Sequence, residues 1–182
     1  GSIFQTSMDS EIVIHLLAKA QNGDLKKRFI EVLSKLEGAF SFVFLVEDAI
    51  VGARDPYGVR PLCLVKIDDG FVLAGESCAL DLIKAEFVRE VEPGEIIIIR
   101  KDKIDSCFLP KKEEKNRAQC IFENIYFARP DSHIFDDNVY QVRKRLGEQL
   151  AKEYPVKDAD FVMPIPDSGV YAALGYAKEL DI

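Results

Sequence analysis

Residues 39–46 read Ala-Phe-Ser-Phe-Val-Phe-Leu-Val, so apolar side chains fall on both faces of an extended segment. A strand of that kind needs cover above and below, which predicts a strand buried between two layers. Further strands are read at 50–53, 62–65, 71–74 and 95–100, with turns at Asp68-Asp69-Gly70 and Pro93-Gly94. Two helices precede them. Asp9 and Ser10 are placed to cap the first, whose apolar face is Ile12, Val13, Leu16, Leu17 and Ala20. The second carries Leu25, Phe29, Val32, Leu33 and Leu36 and ends near Gly38. Helices laid on sheets make an α+β layered domain.

The pattern changes after Pro110-Lys111-Lys112-Glu113-Glu114-Lys115-Asn116-Arg117, which is charged and has no apolar anchor. A linker over 110–118 therefore divides a first unit, 1–109, from a second, 119–182. The alternative is a charged loop within one domain. In the second unit, 121–127 reads as a strand. Val139, Val142, Leu146 and Leu150 form a helical stripe, with Arg143, Lys144 and Arg145 facing elsewhere. Residues 161–165 read as a buried strand, and a helix follows from about 170 to 180. That order is the start of an α/β unit.

The formal net charge of −7 excludes a general nucleic-acid binder, which needs a basic face. It does not exclude a small phosphorylated ligand, for which one local site suffices. No apolar run approaches a membrane span, and Gly1-Ser2-Ile3-Phe4-Gln5 does not read as a signal peptide. Cys63, Cys78, Cys107 and Cys120 are far apart with no CxxC pair, so reduced thiols in a cytoplasmic protein are expected.

Four segments carry candidate chemistry. Pro166-Asp167-Ser168-Gly169 lies between a predicted strand and a helix, where open α/β sheets bind ligands and free N–H groups favour anions. Ser168 is suited to a phosphate or to a metal held by it, Gly169 permits close backbone approach, and Asp167 suits a cation or orients the loop. An ordinary capped turn is the alternative. Tyr126-Phe127-Ala128-Arg129-Pro130-Asp131-Ser132 offers Arg129 either to a phosphate or to an ion pair with Asp131. Arg54-Asp55-Pro56-Tyr57-Gly58-Val59-Arg60 is either scaffolding beneath a ligand site or a stable corner. Asp9 either binds a ligand ammonium group or caps its helix. His15 and His133 fit no catalytic or metal-ligand spacing.

Taken together, GSIFQTSMDSE, ARDPYGVRPL, AGESCALD, CIFENIYFARPDS, VYQVRKRLGEQLA and ADFVMPIPDSGVYAALGYA resemble the amidophosphoribosyltransferase family. ARDPYGVRPL and ESCAL belong to the wider class of N-terminal-nucleophile amidotransferases, whereas YFARPDS followed by PIPDSG is far more specific. The resemblance implies αββα layers of the N-terminal-nucleophile hydrolase type, incomplete here, over 1–109. It implies the N-terminal part of a phosphoribosyltransferase domain over 119–182.

The implied activity is the first step of purine biosynthesis. Ammonia from glutamine displaces pyrophosphate from phosphoribosyl pyrophosphate to give 5-phosphoribosylamine. By resemblance, Asp9 holds the glutamine α-amino group, and Ser168, in a loop with Asp167 and Gly169, contacts magnesium on the substrate diphosphate. Cys120 matches one ligand of a four-iron four-sulfur cluster found in some members. Purine nucleotides are implied as feedback ligands and a homo-oligomer as the complete form. The family nucleophile is an N-terminal cysteine acting with its own α-amino group. This chain begins with Gly1, so the 182 residues alone are expected to be inactive. Two alternatives stand beside this reading: another glutamine amidotransferase of the same class, and a non-catalytic binding or assembly module with the same fold.

Overall fold

The computed structural model describes residues 3–20, 23–68, 70–81, 83–101, 103–110 and 117–182. Asp69 of the predicted turn and residues 111–116 of the predicted linker lie outside them. The elements of the first unit, in chain order, are α1 (Glu11–Lys19), α2 (Leu25–Leu33), β1 (Ser41–Val46), β2 (Ala49–Arg54), β3 (Cys63–Ile67), β4 (Gly70–Ala74), α3 (Cys78–Asp81), β5 (Glu86–Glu90), β6 (Glu95–Arg100) and β7 (Lys103–Phe108).

Two antiparallel sheets form, ordered β1-β2-β6-β7 and β4-β3-β5. The isoleucine run at 96–99 shows how they stack. Strand side chains alternate in direction. Ile96 and Ile98 join Val13, Phe29, Val32, Leu33 and Val51 beneath α1 and α2. Ile97 and Ile99 join Leu62, Leu64 and Val91 between the two sheets. Cys63, Val65 and Leu80 pack on the far side of the second sheet, where α3 lies. The layers are therefore helices, sheet, sheet and one short helix, as the α+β expectation requires. Asp24 starts α2 by accepting a hydrogen bond from the Lys27 N–H at 2.9 Å.

The two-sided cover predicted for 39–46 is only half met. Phe42, Phe44 and Val46 pack against the helical core. Val43 and Leu45, on the opposite face, are 51% and 87% exposed. β1 is the outer strand of its sheet and pairs only with β2, so the second sheet does not reach across it.

The second unit departs further from expectation. Residues 121–127 form no strand. They make a helical turn that widens into a π-helix over Glu123–Phe127. Arg143 explains why: its buried guanidinium donates to the Asn124 carbonyl at 2.5 Å and the Ala128 carbonyl at 2.9 Å. A short hairpin follows, β8 (His133–Ile134) with β9 (Asp137–Asn138), then α4 (Val139–Glu153) and α5 (Gly169–Leu180).

Residues 161–165 are extended but unpaired, with Phe161, Met163 and Ile165 exposed by 75%, 78% and 85%. A strand needs a neighbour to take its N–H and C=O groups, and among the described residues none pairs with this segment. The buried face of α4 is also rotated from the predicted stripe. It is Val139, Arg143, Gly147 and Ala151, while Leu146 and Leu150 are exposed. The helix predicted from about 170 forms as expected and packs on α4.

Candidate functional site

A cleft of about 750 Å³ opens between the start of α1, the segment 39–42 and the 60–61 and 75–76 turns. Asp9, Phe40, Phe42, Arg60, Glu76 and Glu123 line it. Asp9 is exposed just before α1. Its backbone carbonyl accepts from Ile12, while its carboxylate has no hydrogen-bond or ion-pair partner among the described residues. Ser10, the residue at the helix start, makes no side-chain cap. The capping role is thus unfilled by either residue, and the Asp9 carboxylate is left available on the cleft wall.

Glu11 organises this entry instead. Its carboxylate accepts from the Thr6 hydroxyl at 2.6 Å, the Gln5 N–H at 2.7 Å and the Thr6 N–H at 2.8 Å. The Thr6 hydroxyl first, then the Gln5 amide, hold its carboxyl down to about 2 from an ordinary 4.5. A depressed folded value means the contact contributes fully above pH 4.5 and is lost as pH falls through about 2. An NMR titration should place the Glu11 midpoint near 2, and Thr6→Ala should raise it. An ordinary carboxylate midpoint would show that residues 5–6 are not folded over Glu11.

The Arg54 to Arg60 corner is a buried scaffold at the edge of the cleft. Arg54 donates to the carbonyls of Arg60 (2.8 Å), Gly58 (3.1 Å) and Val91 (2.6 Å) and to Glu90 (3.0 Å). Asp55 is fully buried and accepts from the N–H groups of Tyr57 (2.9 Å) and Val59 (3.1 Å). The expected Arg54–Asp55–Arg60 charge network does not form, because each charge is satisfied by backbone or by a more distant partner. Arg60 pairs across the two units with buried Glu123 at 2.5 Å and lies 4.6 Å from the Phe127 ring centroid. Burial pushes the Glu123 carboxyl up, against the opposing pull of Arg60.

Two motifs that are far apart in the chain meet here. One Glu76 carboxylate oxygen accepts from the Arg129 N–H and from the Ser132 hydroxyl, both at 2.9 Å. The Ser77 hydroxyl accepts from the His133 N–H at 2.6 Å. Arg129 itself makes the ion pair with Asp131, through contacts of 3.1 and 2.8 Å, rather than offering its guanidinium to a cleft. Neither Glu76 nor Glu123 drew a role from sequence. The one available signal was an acid, Glu123, between Phe122 and Ile125 in an otherwise apolar stretch.

Asp167, Ser168 and Gly169 form the turn that enters α5, away from the cleft lining. Ser168 makes no side-chain cap, and Asp167 is exposed. The predicted turn thus stays at the start of its helix, but the structure does not bring it together with Asp9. His15 is structural, 3.3 Å from Glu11 and edge-on to Phe4. The cysteines are free thiols. Burial pushes Cys63 up to about 11 and raises Cys78 and Cys107, so none of these three is an activated nucleophile. Cys120 is half-buried, with its N–H donating to the Val59 carbonyl at 3.0 Å.

Comparison with known proteins adds the family. Residues 1–82 match a glutamine amidotransferase domain. The chain is 51% identical to amidophosphoribosyltransferase 1, chloroplastic, of Arabidopsis thaliana over 98% of its own length and 31% of that protein's. It is 45% identical to the amidophosphoribosyltransferase of Archaeoglobus fulgidus over 98% and 39% of the two lengths. The solved glutamine phosphoribosylpyrophosphate amidotransferase from B. subtilis, complexed with ADP and GMP, superposes with a TM-score of 0.94 at 43% identity. That match covers all of this chain and 39% of the solved one. The chain therefore spans about a third of the length of the relatives it matches, and in that span it belongs to the amidophosphoribosyltransferase family, with a glutamine amidotransferase domain at residues 1–82.

Proposed function

We propose that the protein containing this chain transfers glutamine-derived nitrogen to phosphoribosyl pyrophosphate, releasing pyrophosphate and forming 5-phosphoribosylamine. The observation that carries this reading is the Asp9 carboxylate, unpaired on the wall of a 750 Å³ cleft within the amidotransferase segment. A free carboxylate there suits the α-ammonium of an amino acid, because a charge-assisted hydrogen bond is roughly twice as strong as a neutral one. The second substrate belongs at 167–169. Ser168 keeps its hydroxyl free of a cap, and the N-terminus of the twelve-residue α5 favours phosphate oxygens.

Magnesium enters this reading with the diphosphate, through Ser168, and not as a resident ion. Among the described residues no group of three or more His, Cys, Asp or Glu is arranged to hold a metal. Cys120 likewise has no companion ligands among them, and no step is routed through an iron–sulfur cluster. Purine nucleotides as regulators and assembly into a homo-oligomer remain part of the same proposal. The nucleotide-bound relative supports the first.

The test uses the complete protein. Asp9→Asn should raise the KM for glutamine by about tenfold, the worth of one charge-assisted hydrogen bond, and leave the KM for phosphoribosyl pyrophosphate in place. Ser168→Ala should do the reverse. Exchanged patterns, or no glutamine-dependent product from the unaltered protein, would overturn the assignment.

A further inference from the structure

Seven contacts join the first unit to the second in one continuous seam, and three of the participating side chains also line the cleft. Besides the Glu76, Ser77 and Arg60 contacts, the Phe135 N–H donates to Glu90. The N–H groups of Ala118 and Cys120 donate to the carbonyls of Tyr57 (2.9 Å) and Val59 (3.0 Å). Arg60, Glu76 and Glu123 are the members that face the cleft. Glu76 is the most concentrated of these links. A single oxygen carries both bonds to the 129–132 loop, and Ser132, one of its donors, is fully buried. A buried hydroxyl has no water to substitute for that acceptor, so its position is tied to that of Glu76.

We propose that Glu76 is a positioning residue that clamps the 129–132 loop to the wall of the glutamine cleft, so that nitrogen released in the cleft is delivered to the second unit instead of being lost. This rests on the proposed function. It adds that transfer between the sites depends on the clamp, while neither half-reaction does. Ser77 secures the same loop from the next position, so the clamp can be weakened through Ser132 or Ser77 without altering a residue that lines the cleft.

The experiment compares three rates in the complete protein: glutamate formed from glutamine, phosphoribosylamine formed from glutamine, and phosphoribosylamine formed from an ammonium salt. In Ser132→Ala, the ratio of glutamate to glutamine-derived product should rise about fivefold, as expected for loss of one hydrogen bond. The ammonium-supported rate should stay within about twofold, the scale of a near-neutral change. Ser77→Ala should give the same shift, and it replaces the first variant if that one does not fold. Glu76→Ala should raise the ratio, whereas Glu76→Gln, which keeps an acceptor oxygen, should return it toward the unaltered value. An unchanged ratio, or an equal fall in all three rates, overturns the clamp. An unaltered protein that forms neither glutamate nor phosphoribosylamine overturns the functional reading itself, and the clamp with it.

Discussion

Replacing Gly147 with alanine should drive α4 and α5 apart. A Cβ at that position would lie 1.9 Å from the Ala172 carbonyl oxygen and 2.6 Å from its carbon. From the other helix, a Cβ at Gly175 would lie 2.0 Å from the Lys144 oxygen. All of these are backbone atoms, so no rotamer change relieves the overlap and a whole helix must move. Alanine improves intrinsic helix propensity by about 1 kcal/mol. Overpacking costs about 1–3 kcal/mol and more where backbone must shift, so overpacking wins.

Each single variant should lose about 2 kcal/mol in urea unfolding followed by circular dichroism. The double variant should lose less than the sum, because the first substitution already separates the helices. The edge-on contact of Tyr140 with Tyr171, 5.3 Å between ring centroids, offers a local near-ultraviolet signal that should fade in parallel. Gly75, with nothing within 4 Å of a built Cβ, is the control and should tolerate alanine. Unchanged stability at both Gly147 and Gly175 would show that the helices do not meet this closely.

Arg54→Met should be the most damaging change in the first unit. The methionine fills much of the space but leaves the Gly58, Arg60 and Val91 carbonyls and the Glu90 carboxylate without their donor. Breaking a buried charged network by removing one partner costs about 3–5 kcal/mol. For a unit of this size that lowers the Tm by on the order of 15 °C. Arg54→Lys should rescue little, since an ammonium cannot reproduce the planar fork that meets four acceptors. Arg100→Ala is the contrast. Its ion pair with Asp48 at 3.0 Å is exposed at both ends and is worth less than about 1 kcal/mol. A lysine variant as stable as the original would refute the geometric requirement at Arg54.

The layered first unit was legible because its periodicities were clean. The helical faces of 11–19 and 25–33 and the alternation within 95–100 each had one physical solution. The second unit was less legible because its apolar pattern suits more than one partner arrangement. Residues 121–127 and 161–165 have strand-like composition. A strand exists only when a neighbour takes its hydrogen bonds, and periodicity does not report neighbours. On α4 the leucines drew attention, yet the contact face is made by Gly147, Ala151 and Arg143, residues that hydrophobic counting scores low.

The candidate site divides the same way. Asp9 and the 167–169 turn were found from sequence, by resemblance and by their place before helices. Glu76 and Glu123 were not, because their significance lies in contacts spanning 63 positions from Arg60 to Glu123 and 53 from Glu76 to Arg129.

By itself the sequence determined the element types of the first unit, the family likeness and the residues poised for amino-acid and phosphate chemistry. Those depend on local spacing and residue identity, which are written along the chain. Only the tertiary structure decided which carboxylates share a cleft, that Arg54 and Asp55 do not pair with one another, and that the two motifs are joined through one oxygen of Glu76. Burial and long-range partners arise when distant segments pack together, and no local pattern encodes them.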